Sequence, residues 1–165
     1  MELAIVSDTH MPRRGRELPR SCVERLRAAD LILHAGDFME ASVLAELEAL
    51  GPPVYGVRGN VDSIELQARL PLTRIVDAAG ARIAMIHDAG PSDGRLERLK
   101  RRFPDTQAVV FGHSHMPLLE LTAGGAFAIF NPGSPTERRR APAHTMGTAT
   151  AQDGRIAFEL VVLDD

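Results

Sequence analysis

The chain has no tryptophan, one tyrosine and one cysteine among its 165 residues, and each scarcity excludes something. With aromatics at 4% and a net charge of −3 it lacks both the stacking surfaces and the positive field that general nucleic-acid binding needs. A lone Cys22 rules out a disulfide framework and a thiolate zinc site, so any metal must rest on His, Asp and Asn. No apolar run approaches the roughly 18 residues of a membrane span, and Met1-Glu2-Leu3 leads directly into a strand pattern, with no basic-then-apolar signal. The expectation is a cytoplasmic protein without membrane contact. What remains is ordinary globular composition, 44% hydrophobic and 25% charged, in a length suited to one domain over 1–165.

Apolar strand patterns alternate with amphipathic helical ones through the first part of the chain: strand 2–7, helix 20–29, strand 31–35, helix 40–50, strand 54–58. That βαβ order predicts parallel pairing with helices covering the sheet. Ser21 and Glu24 have capping-box spacing for the first helix. Thr73–Asp77 and Arg82–His87 read as a hairpin, and Gly94–Phe103 as a helix with a basic outer face. Beyond residue 108 the strands 118–122, 126–131, 144–151 and 155–162 follow one another through tight turns, which predicts a second, antiparallel sheet. The loosest segment is Pro132–Pro142, a surface loop carrying Arg138-Arg139-Arg140.

The apolar run Ala108–Phe111 ends in Gly112-His113-Ser114-His115, so two imidazoles leave the sheet together. Four other runs end the same way: Leu3–Val6 before Asp8 and His10, Leu31–Leu33 before Asp37, Val54–Val57 before Asn60, and Ile83–Ile86 before His87. Ligands in open α/β folds gather beyond the carboxyl ends of strands, where loops converge on a rigid support. Asp37 has two oxygens with which to bridge two ions, and Asn60 binds a cation without adding charge. A nitrogen and oxygen shell without thiolate suits Mn, Fe, Zn, Ni or Co better than Ca or Mg. Two divalent ions bring +4 and only Asp8 and Asp37 neutralise them, which leaves an excess suited to a hydroxide and an anionic phosphate ester.

In their order, Asp8-Thr9-His10, Gly36-Asp37, Gly59-Asn60, His87 and Gly112-His113-Ser114-His115 resemble the signature of the calcineurin-like metallophosphoesterases. The short length, Val57–Asp62 and Asn131-Pro132-Gly133-Ser134 resemble its small prokaryotic phosphodiesterase branch, which is related to a retromer subunit that serves as a scaffold. The resemblance implies an α/β fold, a two-sheet β-sandwich of mixed strands flanked by helices, like other metallo-dependent phosphatases. It implies two divalent ions, Mn2+ foremost, with Zn2+, Fe2+, Ni2+ or Co2+ as alternatives. One would take Asp8, His10, Asp37 and His115, and the other Asp37, Asn60, His87 and His113. The implied activity is hydrolysis of small phosphate diesters by a metal-bound hydroxide, and the alternative is a weakly active or inactive metal-binding scaffold of the same fold. Two positions depart from the pattern. Val61 stands where many members carry an acid histidine, and His87-Asp88-Ala89 replaces His-Gly-His.

Among the remaining residues, His34 and His144 read as structural. Arg58 is a candidate to meet the substrate phosphate, with a salt bridge to Asp62 or Asp8 as the alternative. Arg13, Arg14 and Arg16, like Arg138–Arg140, read as merely solvated basic loops, with a contribution of positive potential near the mouth as the alternative. The only partner expected is a small phosphate-ester substrate, and a homo-oligomer is left open.

Overall fold

The computed structural model describes residues 1–163, apart from the Arg14 side chain. Its first strand already shows how the chain is layered. In β1 (Glu2–Val6), Leu3 and Ile5 join one apolar cluster and Ala4 and Val6 another, all four buried, because side chains alternate along a strand and both faces are covered. β2 (Leu31–His34) pairs parallel with β1, and β3 (Val54–Gly56) parallel with β2. The crossovers are α1 (Arg20–Ala28) and α2 (Ala41–Glu48), and a short α3 (Ile64–Arg69) follows β3. Cys22, Leu26, Val43, Leu44, Leu47 and Leu66 from these helices pack on the outer face of this sheet. The expected capping box is not used. α1 begins beyond Pro19, whose carbonyl receives the N–H groups of Cys22 and Val23, so Ser21 lies inside the first turn.

The second sheet has the order β4 (Thr73–Ala78), β5 (Ala81–Ile86), β6 (Ala108–Val110), β8 (Ala128–Asn131), β7 (Leu118–Leu121), with α4 (Arg95–Arg102) on its outer face through Leu99. Here the expectation of an antiparallel second sheet made from the strands beyond residue 108 is corrected, while the mixed two-sheet sandwich holds. β5, β6 and β8 are parallel, and only the outer strands β4 and β7 are antiparallel to their neighbours. The last hairpin, β9 (His144–Gln152) and β10 (Arg155–Leu163), belongs to the first sheet, where β9 runs antiparallel to β1. It covers the edge β1 would otherwise expose, and so both five-stranded sheets are mixed. Between them Ile5, Leu33, Ile83, Met85, Val110 and Phe130 form the central core. No helix among the described residues is long and apolar enough to cross a membrane.

Each sheet thus contains a parallel trio, β1-β2-β3 and β5-β6-β8, whose carboxyl ends meet at one rim of the sandwich. Backbone bonds join the loops there: Asp8 N–H to Gly36 O at 2.9 Å, His10 N–H to Asp37 O at 3.1 Å, and Gly112 N–H to His87 O at 3.0 Å.

Candidate metal centre

The backbone at this rim is held in an unusual conformation. Asp8, His10, Asp37, His113 and His115 all have φ between 46° and 71°, the left-handed region that costs a non-glycine residue on the order of 1–2 kcal/mol. Outliers of this kind persist only where the surroundings over-determine them, and they cluster at functional sites. Here the surroundings are explicit. The Asp8 carboxylate accepts from His113 N–H at 3.0 Å and from the Ser7 hydroxyl at 2.7 Å, while Asp37 Oδ1 accepts from Val61 N–H at 3.0 Å. Two glycines allow this closeness. A Cβ at Gly59 would collide with the Asp37 backbone and carboxylate, and one at Gly112 with Ser7 Oγ and Asp8 Oδ2.

All seven candidate donors come together at this rim. Donor atoms of Asp8, His10 and His115 lie within 4.8 Å of one another, as do those of Asp8, Asp37 and His87. His10 Nε2 is 3.3 Å from Asp37 Oδ2, His87 Nε2 is 3.2 Å from the same oxygen, and His115 Nε2 is 3.4 Å from Asp8 Oδ1. Asn60 Oδ1 lies 3.2 Å from His87 Nε2 and 3.0 Å from His113 Nδ1. Donors bound about 2.0–2.2 Å from one ion stand roughly 3.0–3.5 Å apart, so these separations, which also suit hydrogen bonds, are compatible with ligands sharing a cation. Among the described residues, His10 Nδ1 and the buried Nε2 atoms of His10 and His115 have no hydrogen-bond partner. Buried polar atoms are seldom left so, and a divalent cation would satisfy both Nε2 atoms. The donor set therefore fits a metal centre.

Electrostatics point the same way. Burial opposes charge on His10, but the adjacent Asp37 and Asp8 carboxylates outweigh it and push the imidazole up to about 9. His87 is also raised, since Asp37 overcomes its burial. Burial likewise opposes ionisation of Asp37, yet His10 and His87 hold it well below the usual carboxylate range. His34 behaves differently: fully buried, stacked on Phe38 with ring centroids 3.4 Å apart, it is pushed down to about 3. It sits in the core behind the loops, with its Nε2 3.2 Å from the Thr9 hydroxyl.

The family profile described as the calcineurin-like phosphoesterase superfamily domain matches residues 1–154. The chain belongs to that superfamily. A relative from Methanothermobacter thermautotrophicus, described as a probable metallophosphoesterase, is 33% identical over 141 residues, 84% of this chain and 80% of its own. Two solved structures share the fold. Wild-type Vps29 from Entamoeba histolytica in complex with Zn2+ matches with a TM-score of 0.77 at 21% identity, covering 98% of this chain and 99% of that one. A novel archaeal phosphodiesterase matches with a TM-score of 0.74 at 18% identity, covering 98% and 100%. The protein is thus a metallophosphoesterase-family hydrolase with candidate divalent-metal ligand groups.

Other expected residues fall near the phosphoesterase site without joining its donors. The Arg58 guanidinium donates to Gln67 O at 3.3 Å, and neither Asp62 nor Asp8 pairs with it. The Val61 side chain is exposed at the mouth. Arg138 donates to Pro142 O at 2.9 Å, while the charge of Arg139 reaches His115 and Glu137. Sequence reasoning missed Glu137 and Ser134, which touch the site. Ser134 Oγ donates to Asp8 O at 2.8 Å, and Glu137 Oε2 lies 3.0 Å from His10 Nδ1. For Ser134 the Asn-Pro-Gly-Ser resemblance was a signal. For Glu137, a single acid ahead of three arginines, there was none.

Proposed function

We propose that this phosphoesterase hydrolyses small phosphate diesters as one domain with two divalent ions, Mn2+ foremost, and that it does so in the cytoplasm. The observation that carries the reading is the pair of buried, unpartnered Nε2 atoms facing two carboxylates at ligand-edge distances. In this reading Asp8, His10, Asp37 and His115 hold one ion, and Asp37, Asn60, His87 and His113 the other. Divalent ions at such a site supply a nucleophile from water at neutral pH and neutralise charge developing on the phosphate.

The chain's own residues do the rest. Asp8 and Asp37 bring only two negative charges, and neutral Asn60 adds none, so the loaded site keeps a positive excess for an anion. Asp8, His10 and His115 are buried, whereas Asn60 and His113 are exposed, which supports substrate access from the second side. Arg58, whose guanidinium donates to Gln67 O at 3.3 Å, stays a candidate to meet the substrate phosphate. The fold shared with a protein described as an archaeal phosphodiesterase supports the diester class. A second reading, a metal-binding interaction scaffold with little turnover, draws on Val61 and on the fold shared with Vps29.

Metal analysis of purified protein, together with hydrolysis of bis(p-nitrophenyl) phosphate before and after chelation and Mn2+ addition, separates the readings. The enzyme binds two ions, loses turnover on chelation and regains it with Mn2+. Asp37→Asn abolishes hydrolysis and leaves the fold. Full turnover in metal-free protein refutes the assignment, and two bound ions with no turnover over a diester panel favours the scaffold.

A further inference from the structure

We propose that Glu137 is the positioning residue of one metal site, holding the His10 ring with its side chain and the His115 ring with its backbone carbonyl; this rests on the two-metal reading above. Four contacts tie Glu137 to that site. Its Oε2 lies 3.0 Å from His10 Nδ1 as an ion-pair contact outside the alignment of a hydrogen bond, and its backbone oxygen accepts from His115 Nδ1. Oε1 accepts from Arg16 Nη2 at 2.8 Å. Its own N–H donates to Ser134 Oγ at 2.9 Å, and that hydroxyl donates to Asp8 O at 2.8 Å.

The chemistry follows from the imidazole. A neutral ring carries one proton on one of two nitrogens, and only the nitrogen without it can bind a metal. An acceptor beside Nδ1 keeps the proton there and leaves the lone pair on Nε2. For both rings Nε2 is the atom that faces the carboxylates and has no other partner. One residue thus fixes the tautomer and the orientation of two ligands that leave different sheets. Acceptors of this kind, a carboxylate and a backbone carbonyl, also make the ligands more basic. Arg16 completes the device. Its guanidinium occupies Oε1, which leaves Oε2 for His10, and so the loop that follows His10 closes back on its ring. On the other side no single one of the described residues does this; His87 Nδ1 rests 2.8 Å from Ala35 O.

The test is calorimetric titration of metal-depleted wild type, E137A, E137D and E137Q with Zn2+, followed by nitrogen NMR of the imidazoles in the Zn2+-loaded forms. Wild type takes two ions and shows a slowly exchanging His10 Nδ1 proton. In E137A one of the two sites weakens by about 10–100-fold, the other keeps its affinity, and the ring proton exchanges fast. E137D keeps the charge but withdraws the oxygens by one methylene, so it gives the same loss and serves where E137A does not fold. E137Q, whose amide oxygen still accepts from Nδ1, recovers part of the affinity. Two ions bound to E137A or E137D with wild-type affinity overturn the positioning role and leave the two-metal reading standing. A wild type that binds no ion overturns both.

Discussion

Replacing Val61 with histidine tests how the leaving group departs. The Val61 side chain is 40% exposed at the site mouth, and only its backbone N–H is engaged, with Asp37 Oδ1 at 3.0 Å. An isopropyl group gives no proton. The adjacent carboxyl, Asp62, cannot stand in: it is 4% exposed, and its two oxygens are occupied by Met39 N–H at 2.8 Å and Gly59 N–H at 2.7 Å. Its role is to fold the 59–62 turn that delivers Asn60. In the proposed reaction the leaving oxygen then departs as an anion or takes its proton from water, and the expected outcome is a turnover that falls steeply as its basicity rises. A positioned general acid contributes ~10²–10⁴-fold, about 3–5 kcal/mol, nearly all of it on basic alkoxides. Because the side chain is exposed and the bond to Asp37 is made by the backbone, an imidazole fits without disturbing Asp37. The assay is log kcat against leaving-group pKa for aryl and alkyl diesters, with metal content measured in both proteins. Val61→His flattens the line, chiefly by raising the alkyl end. A wild-type line already flat with chemistry rate-limiting shows that another group supplies the proton, and an unchanged slope in a fully metal-loaded variant removes position 61 from the leaving-group side.

Three further outcomes are expected. Gly59→Ala and Gly112→Ala force a Cβ against Asp37 and against Ser7 and Asp8; each costs about 1–3 kcal/mol and weakens metal binding, and an unshifted denaturant midpoint refutes the close approach. In chelated protein, His10 stands at about 9 in the folded chain against 6.5 ordinarily, so its stabilising contribution is complete below about 6.5 and is lost as pH rises through about 9. The raised His87 acts in the same direction, and the depressed Asp37 contributes evenly there, so the Tm of the metal-free form falls between those pH values; a Tm that rises instead contradicts the carboxylate–imidazole pairing. Neutralising Arg138, Arg139 and Arg140 raises KM at low salt, with the penalty shrinking as salt screens the field, whereas an unchanged KM makes the loop a solvated one.

The candidate donors were legible in the sequence because the signal is local. A run buried on both faces must end at the rim, and the polar residue after it must lie there, whichever strands pair. For the same reason β1, β2, β5 and β6 were readable from Leu3–Val6, Leu31–Leu33, Ile83–Ile86 and Ala108–Phe111. Sheet membership was not. The period-two pattern of 144–162 is equally satisfied beside β7 or beside β1, and only the open edge of β1, with Ala4 and Ile5 in register with Thr148 and Gly147, decides it. The direction of β8 was hidden likewise, since an isolated strand carries no mark of which neighbour it joins. α3 has six residues, too few for a helical period to stand out from the turn after Asn60. Sequence alone determined which donor types the rim offers, because ligand type is a property of single residues. Tertiary structure decided how those ligands are held: Asp62 on the Asn60 turn, Gly59 and Gly112 under the carboxylates, and Glu137 behind two imidazoles. Such contacts join residues far apart in the chain, and no pattern of neighbours encodes them.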